Sequence, residues 1–551
     1  MLGHYLMHHY AAEWSNVELI GSEVGENIDS IQAHFAFTRG AARQFRKPWF
    51  IDFSDWNDGT YHDYKMNATT RQYDRANNGH SISLRERVAY LSYMSGANKH
   101  MVEDPAFFYD NNETAADGFL PLSPVGSSVQ TTHAFFAAHP DRGVPYTPVA
   151  LMLDSMHGMG LGWWNIAFKN GSRSVFDAIP GQPNGPFGMA PTLPYTEQDN
   201  YTTLFFNTLW PEALPMNVGP NAHDESKRLV PSKYPELWDV LVDDSVSTAG
   251  YGEPTFDVSL LGAGCPECGG YRAVFLLGNI DFNATRATLP TYDGQVDMSQ
   301  ALHLYASTGG TIVSTAPVVF EPGNNFSSWP EVGDDAANPT PRVQVNVSGT
   351  QLPDGTWVRR GCGGSTQAPS CTFETFEPFF ANTTSAVLLY LVTVEGKRLP
   401  AVVSTNVGSG KLVTVVPPVA RDLDDVGILD WVLDNVTDAV TPFKVEGGQV
   451  QLLLNRRPAG WNITFVNNLG ITKECNWQKT PACTPDLVDP TKAQTVKVTL
   501  KPEYAELMGV LSGVAEEHVT STPVTILGNV SFTVTIPSGA VRIVGVEHVQ
   551  P

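Results

Sequence analysis

The sequence of 551 residues predicts a mixed α/β protein in three regions. Residues 1–145 alternate short apolar strands with amphipathic helices, and residues 146–443 continue the rhythm with longer, nearly continuous apolar strands. From 444 the pattern changes to short β runs separated by Gly, Pro and Asn turns. The composition, 42% hydrophobic and 17% charged, is that of a chain that folds.

In the first region "VELIGSE" reads as a strand. Residues 28–46 read as a helix, because Ile31, Phe35, Ala42 and Phe45 share one face. Pro48 opens a second strand, "PWFIDFSDW". "SLRERVAYLSYMSG" is helical, with Gly96 as its stop. "ANKHMVEDP" is a third strand closed by Pro105, and "SPVGSSVQTTHAFFAAHP" is the next helix. Each strand carries carboxylates at its C-terminal end: Glu23 and Glu26, Asp52 and Asp55, Glu103 and Asp104. Barrels of repeated βα units place their chemistry at those ends.

The second region opens at "TPVALMLD". Its apolar strands fit a buried parallel sheet. "YRAVFLLGNI" leads through a helix to a glycine turn and the strand in "STGGTIVST". No glycine-rich strand-to-helix fingerprint for a dinucleotide or nucleoside triphosphate occurs. Residues 324–375, rich in Pro, Gly, Asn and Ser, read as a loop insertion, and "DDVGILDWVLDNV" reads as a helix. In the third region the alternation of Val530, Phe532, Val534 and Ile536 predicts a sheet with one buried face, in a small antiparallel sandwich.

The formal charge of −23 excludes a nucleic-acid surface, which needs clustered Lys and Arg. A neutral polymer such as a polysaccharide stays compatible. Six cysteines fall in close pairs: Cys265 with Cys268, Cys362 with Cys371, and Cys475 with Cys483. Local pairing favours disulfides; zinc at "CPEC" and free thiols are the alternatives. Asn-X-Ser/Thr sequons stand at Asn67, Asn112, Asn170, Asn200, Asn283, Asn325, Asn346, Asn382, Asn435, Asn462 and Asn529. Together with the cysteines they predict an extracellular or secretory-lumen glycoprotein. "MLGHYLMHHYAAEW" lacks the pattern of a secretion signal, so an upstream stretch is expected to be missing or removed. No run of apolar residues is long enough for a membrane-spanning helix.

Glycoside hydrolysis needs two carboxyl groups across a groove, one to protonate the leaving oxygen and one to attack carbon or activate water. Glu23, Glu26 and Glu103 are the catalytic candidates. Asp52, Asp55, Trp56, His80 and Phe107 are the substrate-binding candidates, since flat rings cover the apolar faces of sugars. Each has a plainer reading. Glu26 suits the start of a helix, the aromatic cluster from Trp49 to Tyr109 suits a packed rim, and His34, His80 and His100 suit structural roles. His8 and His9 are adjacent, which in a strand is poor metal geometry. No metal site and no cofactor is expected. No GxSxG elbow occurs.

The segments "EVGENIDSIQAHFAFTRGAARQFRKPWFIDFSDW", "GHSISLRERVAYLSYMSGAN", "LSPVGSSVQTTHAFFAAHPDRGVPYTPVALMLD" and "VNNLGITK" resemble, in order, the later part of clan-A β-galactosidase-like glycoside hydrolases related to family 42. The resemblance implies the C-terminal part of a TIM barrel over 1–145. It implies a flavodoxin-like, trimerisation-type α/β domain over 146–443 and a small β-sandwich over 444–551. It also implies retaining hydrolysis by two glutamates without metal or organic cofactor. That family's acid/base comes from the fourth barrel strand, expected here before Met1, so Glu23 and Glu103 are only the best local candidates.

A barrel needs eight strands, and the pattern shows three before the second region. The missing half is expected from a second chain or a cleaved partner, from a truncated gene prediction, or not at all if the scaffold has been reused without catalysis. Assembly as a homo-oligomer also fits the trimerisation-type domain. The rival functions are a non-catalytic extracellular structural glycoprotein and a carbohydrate-binding protein.

Overall fold

The computed structural model describes residues 2–3, 5–13, 15–25, 30–54, 79–103, 108–109, 121–153, 205–211, 228–242, 256–257, 270–277, 286–288, 295–314, 318–320, 326–328, 349–351, 357–359, 372–375, 387–392, 398–415, 428–473 and 485–549. Its architecture is mixed α/β, with a four-stranded parallel sheet, a large mainly parallel sheet and separate antiparallel sheets.

The first sheet has four parallel strands in chain order: β1 (Leu2–Gly3), β2 (Ile20–Gly25), β3 (Trp49–Ser54) and β4 (Lys99–Val102). Helices α1 (Met7–Glu13), α2 (Ile31–Gln44), α3 (Ile82–Met94) and α4 (Pro124–Ala138) follow them in turn. The structure therefore holds one βα unit more than the sequence pattern shows. It also corrects the strand geometry considered for His8 and His9, which lie in helix α1. Ser81 caps α3, accepting from the Leu84 amide at 3.0 Å, and Gly96 ends the turn beyond it at φ 100. Ser123 caps α4 in the same way, with Pro124 in the first turn.

Helix α2 is buried on nearly every side. One side packs on β2 and β3 and the other on strand β7 (Trp238–Val242) of the second region. Gly40 makes the second contact possible, because a Cβ there would overlap the Val240 carbonyl.

In the second region, β6 (Val149–Leu153), β7, Ala273–Leu276, Thr311–Ser314 and Gly410–Val415 form a parallel sheet. In chain order their arrangement is 2-1-3-4-5, with an antiparallel extension from three further strands at the Gly410–Val415 edge. Helices Met298–Ser307 and Ile428–Val440 stand at the predicted places, and 205–209, within "YTTLFFNTLWP", is helical. The stretch read as a loop insertion contains short antiparallel ladders, such as Gly349–Gln351 on Trp357–Arg359.

The third region is a six-stranded and a three-stranded antiparallel sheet. Phe443, Val498, Phe532 and Ile536 of the smaller sheet share one core with Leu454, Trp461, Phe465 and Val544 of the larger. Burial alternates along Ser531–Ile536 as the pattern predicts. The larger sheet takes its edge strand, β5 (Val144–Pro145), from the end of the first region.

Candidate active site

Strand alternation sorts the first sheet into two faces. Ile20, Val24, Trp49, Ile51 and Phe53 form a core with residues of α2 and α3. Glu23 and Asp52 therefore point to the opposite face. They are register partners on neighbouring parallel strands. Neighbouring strands lie about 4.8 Å apart, so the two carboxylates start from backbones about 5 Å apart. Asp52 is also the register partner of Met101 on β4. Glu103 follows two residues later on the same face, and its amide donates to the Phe53 carbonyl at 3.0 Å. It stands two strand spacings from β2, about 10 Å.

Local sequence explains why Glu23 has room. Gly21 and Gly25 share its face, two residues to either side. A Cβ on Gly21 would enter the Phe50 ring, and one on Gly25 would overlap the Ser54 carbonyl. In "GSEVG" the glycines let β2 lie flat against β3 and leave Glu23 as the side chain projecting there.

The three carboxylates sit in different environments. Glu103 is exposed and Glu23 half-buried, whereas Asp52 is 8% exposed. Asp52 Oδ1 has no hydrogen-bond partner among the described residues. Burial and then the nearby Glu103 charge push its carboxyl above the usual range, against a partial pull from Lys99. Lys99 was not among the sequence candidates. The period-two spacing of Lys99, Met101 and Glu103 in "KHMVE" was the signal for it.

His80 is placed elsewhere. Its ring packs 5.7 Å from that of Phe53, on the helix side of the sheet and away from the carboxylates. On that side too, Ser22 Oγ lies 3.3 Å from His8 Nε2 and 3.4 Å from His34 Nδ1, all buried. His100 contacts His133 at 3.4 Å, and burial followed by the His133 charge lowers its pKa to about 3. Glu26, Asp55, Trp56 and Phe107 lie outside the described residues, as do all six cysteines and the sequons other than Asn435, Asn462 and Asn529. Asn462 is 4% exposed inside a sheet, its amide donating to the Asp141 carbonyl at 3.3 Å. Asn435 is half-buried on a helix, donating to the Trp431 carbonyl, while Asn529 is exposed in a turn.

Sequence reasoning missed a second polar centre, between α2 and the second region. Asp239, fully buried, accepts from Arg39 Nε and Arg43 Nη1, each at 2.6 Å, from Thr147 Oγ1 at 2.7 Å and from the Tyr271 hydroxyl at 3.0 Å. Burial alone would raise its pKa, but Arg43 and Arg39 hold it below the usual carboxylate range. Nearby, Glu236 accepts from Gln451 Nε2 at 2.9 Å and Trp210 Nε1 at 3.3 Å, and burial raises its pKa to about 7. These partners are too far apart in sequence for any local pattern to join them.

No family model and no curated protein matches the chain. A β-galactosidase from Bacillus circulans sp. alkalophilus is similar over 98% of this chain and 61% of its own, at 11% identity and a TM-score of 0.43. A catalytic mutant of a GH42 β-galactosidase from G. stearothermophilus is similar over 98% and 60%, at 9% identity and 0.41. A rhamnosidase from Novosphingobium sp. PP1Y is similar over 97% and 35%, at 10% identity and 0.38. The chain thus spans about 60% of the length of these β-galactosidases. At such scores the likeness assigns no residue a role. Among the described residues, no helix is long and apolar enough to cross a membrane.

Proposed function

We propose that this protein is glycoside hydrolase-like and acts on a β-linked oligo- or polysaccharide by a retaining mechanism with two carboxylates. The observation that carries the proposal is the register pairing of Glu23 with Asp52 on one face. Retaining enzymes hold their carboxyl groups about 5–5.5 Å apart, and neighbouring strands supply that spacing. Asp52, buried and raised in pKa, is suited to hold a proton and deliver it to the leaving oxygen. Glu23, beside it, is suited to attack the anomeric carbon. Once water enters, Asp52 takes its proton and the sugar leaves Glu23. Glu103 stands two strands from Glu23 and two residues further along, whereas Asp52 is the direct register partner of Glu23. We assign Glu103 the electrostatic role of keeping Asp52 protonated.

Four βα strands make half the wall of an eight-stranded barrel. We infer that further polypeptide supplies the rest. The 2-1-3-4-5 order supports a flavodoxin-like reading of the second region. The sequons support an extracellular or luminal setting. A carbohydrate-binding role without turnover is the second reading, in which the same face holds a sugar without proton transfer from Asp52.

The test is hydrolysis of aryl β-glycosides by the protein isolated with any chain that accompanies it, beside Asp52→Asn and Glu23→Gln. Each substitution is expected to lower kcat/KM by about 10²–10⁴. Unchanged turnover in either variant overturns the assignment. Sugar binding with no turnover in the parent protein supports the second reading.

A further inference from the structure

A second candidate site lies at the opposite ends of the strands. Pro148 and Gly270 precede β6 and Ala273–Leu276, and Pro145 stands with the Trp49 indole beside Gly96, at the entry to β3. Here Arg43, Arg456 and Arg457 wall a cleft of about 320 Å³. The protein carries 57 acidic and 34 basic residues, yet the described wall of this cleft holds three arginines and no carboxylate.

Arg43 is held by Asp239, Thr147 and the Pro145 carbonyl, but Asp239 is shared with Arg39. Arg39 and Arg43 thus share that carboxylate, and Glu236 also lies near Arg39. Arg457 donates through Nη2 to the Val546 carbonyl at 3.2 Å, while its Nε is buried without an acceptor among the described residues. Arginine guanidinium groups pair with oxyanions through charge-assisted, often bidentate, hydrogen bonds. The prolines Pro145, Pro148 and Pro458 make the wall stiff. The volume is at the lower end of small-molecule pockets, large for a bare ion.

We propose that this cleft binds a small molecule carrying an oxyanion, a sulfate, phosphate or carboxylate on a body of monosaccharide size. The proposal does not depend on the carboxylate face.

Calorimetric titration of the full chain with sodium sulfate, sodium phosphate and sodium glucuronate, at ionic strength fixed with sodium chloride, tests it. Saturable one-to-one binding of at least one anion is expected, and the one bound identifies the source of the oxyanion. Arg456→Gln and Arg457→Gln are each expected to weaken it about tenfold or more. Lys444→Gln, at an exposed lysine paired with Glu446, and Glu23→Gln are expected to leave it unchanged. Thermal unfolding without anion checks that each variant is folded, and Arg456→Gln decides if Arg457→Gln is not. No saturable heat with any of the three anions overturns the proposal, as does equal affinity in folded Arg456→Gln.

Discussion

Two buried acids a few residues apart respond to pH in opposite senses. The folded-state pKa of Glu236, about 7, lies above its ordinary 4.5. Its contribution to stability is therefore full below pH 4.5 and is lost as pH rises through 7. A shift of that size corresponds to about 3 kcal/mol. Glu236→Gln keeps an oxygen for Gln451 and Trp210 and removes the charge. It is expected to be more stable than the parent by about 1–3 kcal/mol at pH 8 and nearly equal at pH 4.5, read by urea unfolding at both. The same difference at both pH values contradicts the assignment. Asp239 is depressed, so its stabilisation is present above its ordinary pKa and lost as pH falls. Asp239→Asn leaves Arg39 and Arg43 without their counter-ion and is expected to cost about 3–5 kcal/mol. Glu23 was legible from sequence because the glycines around it and the strand end were local. Asp52 was noticed as a strand residue, but its raised pKa depends on burial and then on Glu103, a strand away. Glu236 and Asp239 gave no sequence signal, since their meaning lies in partners near residues 39, 43 and 451.

At the scale of elements, α2 shows what periodicity reveals and hides. Its apolar stripe, with Ile31, Phe35 and Ala42, predicted the helix, and in the structure that stripe packs in one core with β2 and β3. Its other face reads as polar: Gln32, Arg39 and Gln44. Those side chains are buried and donate to the Val230 carbonyl, the Asp239 carboxylate and the Val242 carbonyl, about two hundred residues on. Gly40 lies in the same contact. Gly40→Ala is expected to destabilise by about 1–3 kcal/mol although alanine favours helices, because the helix must move off β7. A melting temperature equal to or above the parent's contradicts that packing. The first βα unit was missed because a strand of two residues carries no period. From the residues themselves, the parallel sheet of the second region was legible as continuous apolar runs, and the flavodoxin-like expectation came from the resemblance. The crossovers that set its order leave no local mark.

In the whole molecule the three regions share contacts rather than meeting at simple linkers. Strand β5 completes the C-terminal sheet, and Ile543, Val541 and Val466 of that sheet pack in the core of the first region. Helix α3 is tied to the third region by Ser83 to the Gly539 carbonyl at 2.6 Å and Arg87 to Asn468 at 2.7 Å. The same packing separates the described sequons. Glycopeptide mass spectrometry of the protein from its native source is expected to find a glycan at Asn529 and none at Asn462, which is enclosed in the sheet. The most direct measurement is the rate of aryl β-glycoside hydrolysis by the isolated protein and its Glu23→Gln variant across pH 4–8. The account predicts turnover that declines as Asp52 loses its proton with rising pH, and that falls by about 10²-fold or more in the variant. Turnover that survives Glu23→Gln unchanged, or an intact protein that hydrolyses none of these substrates, would contradict it.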